Sequence, residues 1–116
     1  MLNSLRKTFA KSDRLLTSKD YQLNSFTYHR PSQALCVWIK PNEQGHARLG
    51  LILAKKQIRK ANKRNRIKRI VRESFRHHKD LLQNRDIVIG ARAGLERWSN
   101  QTLRQFLDAQ WAQLAV

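Results

Sequence analysis

Between residues 62 and 79 the apolar positions recur at spacings of three and four. Stepped at 100° per residue, Ile67, Ile70, Val71, Ser74, Phe75 and His78 share one arc of about 140°. Asn65, Lys68, Arg69, Arg72, Arg76 and Lys79 fall on the opposite arc, so the pattern predicts an amphipathic helix with a core face and a basic face. Toward its N-terminus the pattern decays, because Lys60, Lys63 and Arg64 continue the apolar arc. Either the helix projects past the core there or it starts only near Asn62. A second stripe, Leu103, Phe106, Leu107, Trp111 and Leu114, predicts a C-terminal helix capped by Ser99, with Trp98 and Leu103 at hydrophobic-staple spacing.

Other segments are apolar without helical period. Residues 34–39 and 48–54, separated by the turn chemistry of Pro41-Asn42-Glu43-Gln44-Gly45, predict two strands paired with each other. Residues 86–91 are almost wholly apolar and predict a strand interior to a sheet. Residues 26–29, cut off by Pro31, form an optional further strand. Upstream, Thr17 with Asp20 three residues on is a capping-box pair, and Leu16 and Tyr21 flank it at staple spacing, which predicts a short helix over about 18–25. The order helix, two or three strands, helix, strand, helix is an α+β architecture, a small mixed sheet sandwiched with helices. No repeat, low-complexity tract or linker divides residues 1–116, so one domain is expected. A strand–helix–strand crossover is right-handed by default.

Charge changes the picture from fold to partner. The 116 residues carry 24 Lys+Arg against 8 Asp+Glu, a net +16. Residues 55–79 alone hold twelve basic side chains and one acid, Glu73, for a net +11. A compact domain with that density repels itself unless it binds a polyanion. The longest apolar run, residues 49–54, is far too short to cross a bilayer, and residues 1–11 lack the apolar stretch of a signal peptide. A membrane-surface helix would need its apolar face free, whereas here that face is required by the sheet, so nucleic acid is the favoured partner. Cys36 is the single cysteine, which excludes an internal disulfide and suits a reducing cytosol.

Catalytic chemistry is sparse. Gly45-His46-Ala47-Arg48-Leu49-Gly50 has P-loop glycine spacing, but Leu51-Ile52 follows where Lys and Ser/Thr are needed. His29, His46, His77 and His78 show no i, i+4 ligand spacing, and adjacent His77 and His78 read as a helix end with His78 toward the core. The acids form no paired-carboxylate motif, and Gly90 and Gly94 mark a strand end and turn. The chain is therefore expected to bind rather than to catalyse. Arg and Lys on a helix track phosphates, and Asn65 among them could meet a base edge or ribose. Phe9, Tyr21, Phe26, Tyr28 and Trp38 are either core residues or stacking surfaces for unpaired bases. A DNA-binding module is disfavoured because no turn-plus-recognition-helix pair is present.

The segment Lys55-Lys56, followed by Arg64-Asn65-Arg66-Ile67-Lys68-Arg69 and Arg72-Glu73-Ser74-Phe75-Arg76, resembles the signature of the bacterial ribonuclease P protein subunit. The likeness extends to Phe9, Arg14-Leu15-Leu16, Asp20-Tyr21, Arg48-Leu49-Gly50-Leu51 and residues 86–91. It implies a protein that binds a large catalytic RNA, one protein per RNA, and with it removes the 5′ leader of precursor tRNA in the cytoplasm. The RNA would hold the Mg2+ and perform the hydrolysis, so the protein itself would carry no catalytic residue, metal or cofactor. By resemblance, Lys55, Lys56, Arg59, Lys60, Lys63, Arg64, Asn65, Arg66, Lys68, Arg69 and Arg72 would face RNA. A cleft between the N-terminal helix and the sheet would hold the leader, with Phe9, Arg14, Tyr21, Phe26 and Val37 as its candidates. The family's second cleft aromatic falls on Ser25 here, with Phe26 one residue on, and its sheet aromatic falls on Val37, with Trp38 on the other face. The resemblance also implies a left-handed strand–helix–strand crossover. The alternative is a structural ribosomal or general RNA-binding protein with no role in cleavage.

Overall fold

Residues 9–115 are described by a computed structural model; residues 1–8, where most of the signal-peptide reading falls, and residue 116 lie outside the described residues. The strands are β1 (Thr27–His29), β2 (Leu35–Pro41), β3 (Arg48–Ile52) and β4 (Arg85–Ala91); the helices are α1 (Ala61–His78), between β3 and β4, and α2 (Asn100–Leu114). The sheet order is β1-β2-β4-β3. Thus β2 and β3 do not pair with each other, contrary to the sequence expectation. β4 lies between them, antiparallel to β2 with Val37 opposite Ile89 and parallel to β3 with Leu49 opposite Ile87. The reason lies in β4 itself: residues 86–91 are buried without exception, and a strand buried on both faces leaves no polar edge to water, so both of its edges must be paired.

Strand alternation divides the apolar side chains between two faces. Leu35, Val37, Leu49, Ile87 and Ile89 face the helices and pack with Ile67, Ile70, Val71 and Phe75 of α1 and Leu103, Leu107 and Trp111 of α2. Val88, Ile52 and Trp38 face the other way, where Leu15, Tyr21, Leu23 and Phe26 cover them. The result is three layers: helices, sheet and N-terminal segment. α1 and α2 are joined by a polar relay in which the Trp111 indole donates to Ser74 Oγ at 2.8 Å and Ser74 donates to Asp108 Oδ1 at 2.9 Å. His78 turns inward to the Ser74 carbonyl while His77 is exposed, as the sequence predicts. Ser99 caps α2 by accepting from the Thr102 amide, and Trp98 packs edge-to-face on Phe106 and against the core cluster that holds Leu103.

The N-terminal segment departs from expectation. The Thr17–Asp20 capping box forms, with Asp20 Oδ2 accepting from the Leu16 and Thr17 amides at 3.0 and 3.1 Å. Those two hydrogen bonds hold the Asp20 carboxyl below its usual range. No α-helix follows; residues 18–25 form two short 3₁₀ turns, Ser18–Tyr21 and Leu23–Ser25. Leu16 is 54% exposed and makes no staple. Tyr21 instead reaches across to β3, donating to the Leu15 carbonyl and accepting from the Leu51 amide. A Cβ at Gly50 would stand 2.6 Å from the Tyr21 hydroxyl oxygen, so only glycine admits this docking. Tertiary contacts, not helix propensity, set this segment's shape.

A buried ion pair fastens the outer layer. Asp86, 1% exposed, accepts from Arg48 Nε at 2.9 Å, from Arg48 Nη2 at 2.8 Å and from Asn42 Nδ2 at 2.7 Å. Arg48 also lies 3.8 Å from Asp20, which ties the N-terminal segment to β3 and β4. Arg48→Ala leaves Asp86 buried without its counter-charge and should lower stability by about 3–5 kcal/mol. Urea unfolding checks this as a fall in midpoint at constant slope.

Candidate nucleic-acid interface

α1 presents its charge because its other side is spent on the sheet: Ile67, Ile70, Val71, Ser74 and Phe75 are buried. The helix begins at Ala61, with Lys60 still extended, which settles the two readings of its N-terminus in favour of a start near Asn62. Asn65, Arg69 and Arg72 are exposed on the opposite side. Together with Lys68, Glu73, Arg76 and Phe9 they line a shallow groove of about 450 Å³. Phe9 stands there because its ring packs edge-to-face on Phe75 at 5.7 Å, with the Arg14 guanidinium 4.8 Å above it. The groove continues over the β3 edge, since Phe9, Lys68 and Arg72 also border a hollow lined by Arg14, Leu16, Tyr21 and Gly50. Burial raises the Tyr21 phenol above its ordinary pKa, so it stays a neutral donor at this edge.

Beyond Tyr21 lies the outer sheet face. Tyr21, Phe26 and Trp38 belong to one apolar cluster there. Tyr28, 46% exposed, tilts against Trp38 with ring centroids 5.3 Å apart, and Lys40 Nζ sits 4.9 Å over the Phe26 ring. Arg92 interacts with Tyr28 and Cys36 at the same corner. A Cβ at Gly90 would meet the Trp38 ring at 2.8 Å, so this glycine lets the indole lie flat on β4.

The family model described as Ribonuclease P matches residues 9–115. The chain belongs to the ribonuclease P protein family. A ribonuclease P protein component from Marinobacter nauticus is 45% identical over 106 residues, covering 90% of this chain and 80% of the relative. One from Pseudoalteromonas atlantica is 41% identical over 112 residues, covering 93% and 91%. Among solved structures, the Staphylococcus aureus RNase P protein superposes with a TM-score of 0.78 at 26% identity, over 91% of this chain and all of that one. The Thermotoga maritima RNase P protein, solved with 1-(4-fluorophenyl)-2-thiourea, gives 0.75 at 30% identity, over 84% and 96%. Ribonuclease P protein is the accessory subunit of an endoribonuclease of tRNA processing, and it works in partnership with RNA.

Within this family frame the Arg-Asn-Arg signature divides. Arg64 Nη1 donates to the carbonyls of Ile58 at 2.8 Å and Arg59 at 2.7 Å, closing the turn ahead of α1. Arg66 donates to the Glu96 carbonyl at 2.8 Å, the Trp98 carbonyl at 3.2 Å and Asn100 Oδ1 at 2.7 Å, clamping the approach to α2. Both guanidiniums therefore hold the ribonuclease P protein fold, and Asn65 between them is the exposed member. Lys55, Lys56, Arg59 and Lys60 are exposed on the turn before α1, and Lys63 is half-buried.

The proposed cleft residues also separate. Val37 is fully buried among the helices and cannot line a cleft on the outer face; Trp38, one residue on, does. The period-2 alternation of Leu35, Val37 and Ile39 against Cys36, Trp38 and Lys40 carried that signal, obscured because both sets are largely apolar. Phe9 sits on the helix side against Phe75, Arg14 and Tyr21 line the β3 edge, and Phe26 lies on the outer face, 9% exposed beneath Lys40. Ser25 spends its hydroxyl on the Gln22 carbonyl. Tyr28, Trp38 and Arg92 are the outer-face residues that the sequence did not assign to the cleft. Arg66→Ala should cost about 2 kcal/mol of stability through its lost charged hydrogen bonds. Arg69→Ala should stay within about 0.5 kcal/mol of the parent while weakening RNA binding. Paired urea unfolding and RNA titrations separate the two; equal destabilisation would refute the division.

Proposed function

We propose that this chain binds the catalytic RNA of ribonuclease P, one protein per RNA, and grips the 5′ leader of precursor tRNA in the cytoplasm as a single RNA-binding domain. The observation that carries the reading is the basic Asn65–Arg76 face of α1, which runs on to the β3 edge at Tyr21, a residue that also packs in the apolar cluster of the outer sheet face. Phosphates are met by Asn65, Lys68, Arg69 and Arg72, with Lys55, Lys56, Arg59, Lys60 and Lys63 on the approach to the helix. Arg64 retains donors beyond those given to the backbone, whereas Arg66 acts by shaping the surface.

Unpaired leader bases stack on Tyr28 and Trp38, beside Tyr21 and Phe26, with Arg92 and Lys40 neutralising the adjoining phosphates. Phe9 and Arg14 border the junction between the two RNA surfaces. Fixed positive charge offsets the repulsion between two polyanions, so catalytic RNA and substrate associate with less Mg2+. Mg2+ would be held by the RNA and would supply the activation of water there. The protein's part is to bind and to align.

Added to ribonuclease P RNA at low Mg2+, the purified chain should restore 5′ cleavage of precursor tRNA. RNA binding without restored cleavage would favour a general RNA-binding protein instead. Tyr28→Ala should weaken precursor tRNA binding to the holoenzyme by about tenfold, the loss of one base stack, and leave mature tRNA binding unchanged. Equal loss on both would remove the outer face from the leader path.

A further inference from the structure

A second basic groove lies on the other side of α1. It encloses about 550 Å³ and is bordered by Lys56, Arg59, Lys60 and Lys63 on one wall and by Glu96 and Arg97 on the other. It shares no lining residue with the track that runs from Phe9 to Tyr21. The five cations have no salt-bridge partner among the described residues. Glu96, the sole acid, turns its Oε1 back to accept from the Gly94 amide at 2.8 Å.

Both walls are rigid, and the same signature braces them. Ile58, 1% exposed, anchors the first wall, and Arg64 holds its carbonyl and that of Arg59. Leu95, fully buried, anchors the second, and Arg66 holds the Glu96 and Trp98 carbonyls on either side of Arg97. The two arginines of Arg-Asn-Arg thus fix two sets of cations across a gap. Five unneutralised charges held at close quarters are costly in the free protein, and a phosphate backbone in the gap relieves that cost.

We propose that Arg97 is a phosphate-binding residue, and that with Lys56, Arg59, Lys60 and Lys63 it forms a second groove that seats a backbone segment of the RNA subunit. The inference rests on the function proposed above. The occupant is the RNA subunit rather than the leader because the leader path proposed above lies over the outer sheet face, with which the groove shares no residue. α1 therefore lies between two RNA segments, with Asn65–Arg76 facing one and the Arg97 groove facing the other.

The test is titration of ribonuclease P RNA with the full chain over a range of salt, for Arg97→Gln, for Lys56→Gln with Lys60→Gln, and for Arg69→Gln with Arg72→Gln. Arg97→Gln should weaken binding and reduce the salt slope by about one, and the Lys56/Lys60 pair by about two. The thermal midpoint should not fall in any of the three, since these side chains are exposed and removing a cation relieves repulsion. The holoenzyme's preference for precursor over mature tRNA should survive Arg97→Gln. An unchanged slope for Arg97→Gln and the Lys56/Lys60 pair, with a reduced slope for the Arg69/Arg72 pair, would overturn the second groove and leave the proposed function standing. No change in any variant would overturn the proposed function itself. Loss of the precursor preference in Arg97→Gln would place the substrate in the groove and likewise overturn the proposal.

Discussion

Everything in this molecule is arranged around the double-edged pairing of β4. Among the described residues, its hydrogen bonds to β2 on one side and β3 on the other make it the only strand that two long neighbours share. Because β3 precedes α1 and β4 follows it, the helix has to cross one face of the sheet to join parallel neighbours. The apolar arc of α1 is consumed by that crossing, and its cationic arc is left facing outward. The opposite face of β4, bearing Val88 and Gly90, is closed by the N-terminal segment and by Trp38, which brings the aromatic surface to within reach of the basic one.

Arginine serves two purposes in this chain, and the difference lies in what its neighbours leave unsatisfied. Arg48 answers a carboxylate buried at the start of β4, while Arg64 and Arg66 answer backbone carbonyls at turns that no regular element satisfies. A guanidinium suits both tasks because its five donors fan out in a plane and it keeps its charge on burial. Arg69, Arg72 and Arg97 have no such acceptor within the described fold and remain available to an external anion. A +16 chain can therefore be stable because part of its charge is structural, and part of the structure exists to aim the remainder.

The elements set by local pattern were legible in the sequence. The core stripe of α1, the Ser99 cap of α2, the Thr17–Asp20 capping box and the interior character of β4 all come from spacings of a few residues. What was not legible depends on distant partners. The separation of β2 from β3 requires β4, which arrives more than thirty residues after β3. The 3₁₀ path of residues 18–25 requires the missing side chain at Gly50, about thirty residues downstream of Tyr21. Arg66 falls at the border of the helix's two arcs, so periodicity alone left its direction undetermined, and its acceptors lie in residues 96–100. Arg97 is a single cation in a short turn and carries no local signal at all. The basic helix was thus readable in the sequence, whereas the placement of Arg97 beside its N-terminal approach was not.

The open cation grooves also bear on how firmly the fold holds when a polyanion is bound. A ligand that binds only the folded chain adds to its resistance to unfolding, by about 2.7 kcal/mol when free ligand stands at a hundred times the dissociation constant. Under the proposed RNA binding, a bound copy would gain that resistance and be relieved of its self-repulsion, and a free copy would not.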